Sequence, residues 1–341
     1  MRETNITILA TSRNKSVCSL ITIFKPYMTA RLPYLFLTSF LLLFPHLGAQ
    51  ESALRYQLHP GDSCTLEVEI HQNTRSESLY GDEITLFSRM RLDFIVDSVD
   101  HHDHIHMRAG YRDLHLSMIA PSMGMDMNSE SMKNRLLTDM LDSLEKYRFN
   151  LVMTSSGELR SQNEISPVIR DFCAGPETDS SQHEMILNTL EEVYGTNAFR
   201  SLFSLFVSVY PVVQPIRNWT RDLTYYFNTK PVGMTNRYHL ARTTDRVIII
   251  QGMGMLNSKE AFHEQDDQHE VSSTVSGSQT YDFQMDIETG WLKQCVSRQR
   301  LVIETTIIKD PYLPEGLKIP SFTETLFEVK GTHSDKSSTY P

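Results

Sequence analysis

The sequence predicts an α+β, β-dominated protein: a curved antiparallel sheet, open or half-barrel, with two or three helices packed on it. Three observations carry this. Apolar and polar residues alternate over short runs in both the N-terminal and C-terminal parts of the chain. Two central blocks instead carry apolar residues at three- and four-residue spacing. Glycine-containing polar turns join successive strand-like runs closely enough for hairpins.

Taken in order, Cys64, Leu66, Val68 and Ile70 alternate with Thr65, Glu67, Glu69 and His71, the pattern of a half-buried strand. Met90, Leu92, Phe94 and Val96 repeat it. The next run begins in one phase, with Ile105, Met107, Ala109 and Tyr111, and ends in the other, with Leu114, Leu116 and Met118. One extra residue between Gly110 and Asp113 returns the apolar set to the core, which predicts a β-bulge. Met132, Leu136, Leu137, Met140, Leu141 and Leu144 then predict a helix over about 132–147, with Ser129 or Ser131 as its cap. A second helical region covers about 181–208, broken at Gly195 and ended by Pro211 and Pro215.

Strands return at 223–227, 238–241, 247–255, 271–274 and 281–287. The turn Glu288, Thr289, Gly290 leads into a strand from Trp291 to Ile308, and 322–329 is the last. Two hairpins share a grammar: the runs at 149–159 and 281–292 each have an aromatic-led strand, a polar turn with glycine, and an apolar return. They mark related β halves at about 54–160 and 215–330, or convergent turn chemistry. Residues 50–332 form a single β-rich domain on this reading, and 333–341 a disordered polar tail.

Ahead of the domain, Leu32 to Phe44 is apolar, follows Arg31 and exits through Gly48 and Ala49. That describes a signal peptide over 28–49; the run is shorter than the ~20 apolar residues of a membrane span. Residues 1–27 read as an extension ahead of a true start at Met28. The expectation is therefore an exported protein: periplasmic, outer-membrane-associated or secreted. The whole chain has 341 residues, with 42 acidic and 32 basic, and a net charge of −10. Residues 1–49 hold five basic residues and one acidic, so the 292 that remain carry 27 basic and 41 acidic residues, net −14. Such a surface repels phosphate backbones, which excludes nucleic acid as a partner, and it repels anionic lipid. Cys64, Cys173 and Cys295 are left as an odd set, read as buried free thiols or one bridge.

Three clusters could carry chemistry. Asp100 to His106 holds His102, His104 and His106, imidazoles suited to zinc, copper(II) or nickel; the plain alternative is a hairpin tip with solvated histidines. Met123, Met125 and Met127 are soft thioethers that suit copper(I), or else gap-fillers of a core. His263 to Glu270 lacks the spacing of a zinc protease helix and reads as a solvated acidic loop. No Gly-x-Ser-x-Gly, phosphate loop or dinucleotide fingerprint occurs in the sequence.

The ordered motifs form a recognisable set: YQLHPGD at 56–62, MDMNS at 125–129, LVMTSSG at 151–157, and YPVV at 210–213 ahead of Trp219. The chain resembles a family of secreted proteins of Bacteroidetes-type bacteria, known only as a domain of unknown function. The resemblance covers most of 54–332 and implies export and a β-rich fold, with no activity and no catalytic residues attached. Where the family carries Gly-Asp-x-Trp, this chain has Ile216, Arg217, Asn218 and Trp219. In outline the pattern is also similar to periplasmic lipoprotein-carrier proteins.

The expected function is a non-catalytic binding or envelope-associated protein, with an apolar ligand in a curved-sheet cavity and no cofactor. A periplasmic copper or zinc binder using the His and Met clusters is the alternative, and an uncharacterised hydrolase a further one. The expected partner is an apolar small molecule or an envelope protein, with no transmembrane segment in the mature chain.

Overall fold

The computed structural model describes residues 54–77, 83–121, 125–131, 135–173, 180–213, 217–227, 229–265 and 268–335. The signal-peptide and extension readings therefore lie outside the described residues. From Ser52 onward the chain is one compact unit.

The N-terminal strands are β1 (Ser63–Ser76), β2 (Glu83–Val99), β3 (His104–Ala120), β4 (Met125–Asn128), β5 (Phe149–Thr154) and β6 (Leu159–Gln162). The C-terminal ones are β7 (Asn218–Phe227), β8 (Lys230–Thr243), β9 (Val247–Asn257), β10 (Phe262–Gln265), β11 (Glu270–Asp286), β12 (Leu292–Lys309) and β13 (Lys318–Ser334). They form one sheet in the order β6-β5-β3-β2-β1-β13-β12-β11-β9-β8-β7, with β4 beside β3 and β10 beside β11. The neighbours pair antiparallel. The two halves meet where β1 pairs with β13, in register from Ser63↔Ser334 to Ser76↔Ser321.

The alternation seen in the sequence is the inner face. Cys64, Leu66 and Val68 of β1, Met90, Leu92 and Phe94 of β2, and Tyr281, Phe283 and Met285 of β11 are all buried in one core. The bulge falls where the phase change predicts it. Arg89 pairs with His115 and Arg91 with Arg112, so β3 carries one residue more than β2 there, and Asp113 takes φ 50°.

Helix α1 (Arg135–Lys146) has Leu137, Met140, Leu141 and Leu144 buried. It packs beside the stretch of β3 left between β5, which pairs with 104–109, and β4, which pairs with 117–120. Side chains replace the missing strand there: Leu114 N donates to Glu145 Oε1 at 2.8 Å, and Leu116 N to Ser129 Oγ at 3.1 Å. Ser129 is thereby corrected from helix cap to sheet partner, because its hydroxyl satisfies β3. Ser131, the other cap candidate, precedes 132–134, outside the described residues.

Three further helices follow: α2 (Ser166–Cys173), α3 (Ser180–Tyr194) and α4 (Thr196–Phe206). The predicted long helix is split at Gly195, which is extended at φ −68°, ψ 178°. α2 was not read from the sequence as a separate helix; Thr196 Oγ1 accepts from both Ile165 N and Ser166 N at its start. α3 and α4 cover the inner face of the sheet. Tyr194 stacks edge-on against Tyr111 of β3, Phe199 against Phe149 of β5, and Phe206 against Phe327 of β13. Ser201 Oγ also accepts from Tyr226 N of β7 at 2.8 Å. One helix reaching both flanks means that the sheet curls around it.

Two further differences from the sequence reading have local causes. The strand candidates 271–274 and 281–287 are one strand, β11, because Gly277 and Gln279 face inward where apolar residues were sought. The last strand does not end at Val329: residues 330–334 continue β13, pairing Glu67 to Ser63. Cys64 and Cys295 are buried free thiols. Cys173 lies in α2 with its side chain outside the described set. Among the described residues, no helix is long and apolar enough to cross a membrane.

Candidate functional site

The two ends of the curled sheet differ. At the lower end, the hairpin glycines Gly157 and Gly290 adopt φ +83° and +71°. A single strap, residues 207–210, holds both turns. Ser208 Oγ donates to the Gly157 carbonyl at 2.7 Å, and Tyr210 Oη to the Gly290 carbonyl at 2.8 Å. Tyr56 Oη donates to the Val207 carbonyl at 2.8 Å, and its ring lies against Tyr210 and Trp291. Buried Arg221 donates to the Tyr210 carbonyl at 2.7 Å. A Cβ on Gly157 would run into the Val207 carbonyl, and one on Gly290 into that of Arg55. This end is sealed.

At the upper end a pocket of about 130 Å³ remains between α3–α4 and the sheet. Its walls include Ile70, Leu86, Leu202, Leu301, Phe227 and Phe327. Its floor carries Gln72 and Thr323, and its mouth Glu191, Glu192 and Asn197. Gln72 Oε1 accepts from Thr325 Oγ1 at 3.5 Å, and Thr323 shares a 3.0 Å hydrogen bond with Thr74. Further along the same inner face, Gln279 Nε2 donates to Ser297 Oγ at 2.7 Å and Gln299 Nε2 to Gln279 Oε1 at 2.9 Å. These buried amides are tolerated because they satisfy one another.

The two glutamates at the mouth differ. Arg170 lies 3.1 Å from Glu191 Oε1. Glu192 forms no salt bridge among the described residues; it reaches solvent through the mouth but is crowded on its other sides, and that burial raises its carboxyl above the ordinary carboxylate range. Burial, with Glu192 as a second cause, pushes the Tyr225 hydroxyl up to about 12. The sequence reading missed Glu192 and Tyr225. Their one signal was the aromatic run Tyr225, Tyr226, Phe227 at a strand end, where three large rings in succession break the alternation of a one-sided strand.

The metal candidates are placed as follows. His104 Nδ1 lies 3.2 Å and His106 Nε2 3.5 Å from Asp100 Oδ2, while His102 is an exposed turn residue whose ring lies tilted against that of His101. Asp100 accepts from the backbone of His104 and of His102, and these bonds, with the His104 one strongest, hold its carboxyl far below the usual range. Met127 is buried on β4; Met123 and the Met125 side chain lie outside the described residues. Among the described residues, no three His, Cys, Asp or Glu side chains converge on a point that could hold a metal ion. His263 to Gln265 lie in β10, which pairs with 270–273 of β11.

Fold and site define a class: a β-dominated protein whose open antiparallel sheet is covered on its inner face by helices, with a pocket of mixed apolar and polar lining at its upper end. Residues 102–292 match the "Family of unknown function (DUF6263)", and the chain belongs to that family. No curated protein matches it. Among solved structures it is similar to one described as "Lipid-protein interactions in lipovitellin", at 10% identity and TM-score 0.45, over 82% of this chain and 26% of that one. It therefore spans about a quarter of that protein's chain. It also shows similarity to the COG4313 outer membrane channel from Pseudomonas putida F1, at 8% identity and TM-score 0.19 over 82% of this chain and 98% of that one. Pseudomonas aeruginosa OpdQ follows at 5% identity and TM-score 0.17, over 81% and 100%.

Proposed function

We propose that the protein is an exported, non-catalytic binding protein that takes the apolar end of a small molecule into the upper pocket. The observation that carries the reading is the unequal filling of the curled sheet. α3 and α4 occupy the inner face down to the sealed lower end, and the upper end keeps a pocket of about 130 Å³ with apolar walls and a polar mouth. An apolar cavity of roughly 150 Å³ accepts a benzene-sized guest. The pocket therefore suits a short alkyl or aromatic group, not a whole lipid. The cavity expected between sheet and helices corresponds on this reading to the upper pocket, since α3 and α4 pack against the rest of the inner face. Export rests on the apolar run from Leu32 to Phe44 followed by Gly48 and Ala49.

Native mass spectrometry of protein purified from its own cell envelope tests the reading, together with calorimetric titration of n-hexanol. The expected results are a retained small molecule and saturable hexanol binding that Leu202→Trp abolishes without unfolding the protein. A ligand-free protein that gives no heat with hexanol would end it.

A further inference from the structure

The mouth of the pocket is more specific than its walls. Its lining includes two carboxylates and no Lys or Arg. Glu191 has Arg170 at 3.1 Å. Glu192, one residue on, has no cationic partner among the described residues. The adjacent wall is aromatic, with Tyr225, Tyr226 and Phe227 on β7 and Phe327 on β13. Glu192 is exposed at the mouth, and a carboxylate there without a counter-charge, set against a low-dielectric wall, draws a cation into the pocket. Aromatic rings in the same lining attract a cation that meets their faces. An anionic head group would meet Glu192 directly and find no basic side chain in the lining to offset it.

We infer that the pocket selects amphiphiles with a cationic amine head and a short apolar tail, the ammonium group seated between the Glu192 carboxylate and the aromatic rings of β7. The tail would lie against Leu202 and Leu301, beneath α4. This inference rests on the binding function proposed above and narrows its ligand class. The raised pKa of Glu192 agrees with it, since a bound cation would stabilise the charged form that its surroundings disfavour.

The test uses three probes of equal tail length, n-hexylamine, n-hexanol and hexanoate, titrated calorimetrically at neutral pH into the wild-type chain and into Glu192→Gln. In the wild type, hexylammonium is expected to bind at least tenfold more tightly than hexanol, and hexanoate more weakly than either. In Glu192→Gln the amine loses its advantage while hexanol affinity stays within about twofold, which separates loss of charge from loss of fold. Raising the salt concentration should weaken the amine alone. Hexanol binding with no preference for the amine would overturn the inference and leave the binding function standing. Loss of hexanol binding along with the amine in Glu192→Gln would also overturn it, by making Glu192 structural. Binding of none of the three probes would remove both proposals.

Discussion

The two ends of the curled sheet are built from the same parts and finished differently. At the lower end, two hairpin glycines are pressed against backbone carbonyls, and one strap of residues satisfies both turns. At the upper end, a pocket remains between α3–α4 and the sheet, and the carboxylates of Glu191 and Glu192 line it. The contrast separates what holds this fold from what the fold offers to a ligand. Groups at the sealed end have fixed partners, so substitutions there should cost stability. At the open end Glu192 has no ion-pair partner among the described residues and the pocket walls face empty space, so substitutions there should cost binding.

The strongest challenge to that contrast is Gly290→Ala, with Gly157→Ala beside it. Each asks an alanine to hold positive φ and pushes its Cβ into a carbonyl, a combined loss of about 3 kcal/mol or more. Urea unfolding should show a large drop in midpoint for both, whereas Leu202→Trp at the pocket shifts it little. Equal losses at the two ends would erase the distinction. Next comes Tyr210→Phe, which leaves the buried Gly290 carbonyl without its 2.8 Å donor, a loss of about 1–2 kcal/mol. Hydrogen exchange should then rise at the turn of residues 286–291 and stay unchanged in α3.

The smallest effect belongs to Asp286, at the base of the Gly290 turn. Burial pushes its carboxyl up, but Lys293 at 2.6 Å and the N–H and O–H of Thr289 outweigh that and hold it below the ordinary range. A depressed carboxylate adds stability above its unfolded pKa, near pH 4, and loses it as the pH falls through the lower folded value. Asp286→Asn should therefore cost about 1 kcal/mol at pH 7 and progressively less below pH 4. A stability difference that grew in acid would show that the turn is held by something other than this charge.

What the sequence made legible was local. The bulge at Asp113 shows in a phase change within one strand, the helix break at Gly195 in one residue, and both hairpins in their glycines. Each is decided by neighbours a few residues away. The pairing of β1 with β13 was not legible, because Thr65 and Thr332, which share a 2.7 Å hydrogen bond, are 267 positions apart. The inward Gln279, Ser297 and Gln299 were hidden for a related reason: polar residues at core positions look like surface until their mutual partners are known. Glu192 lay unnoticed among other helix carboxylates, since its distinction is that Arg170 answers Glu191 while no cation among the described residues answers Glu192. The histidines at 102, 104 and 106 drew attention by density, yet two of them gather on Asp100 while His102 stays in the turn.

The seam between β1 and β13 has a consequence for how this chain reaches its structure. β13 follows every other strand in chain order, yet it sits near the middle of the sheet, between β1 and β12. Until it docks, the N-terminal and C-terminal halves each present a long unpaired strand edge, and neither can complete the curl. Assembly is therefore a late, non-local zippering event, slow by topology. During that interval the exposed edges of β1 and β12 are the places where one copy could capture another. A chain trimmed back within β13 would lose its keystone, and its two halves would persist as sticky intermediates instead of one smaller domain.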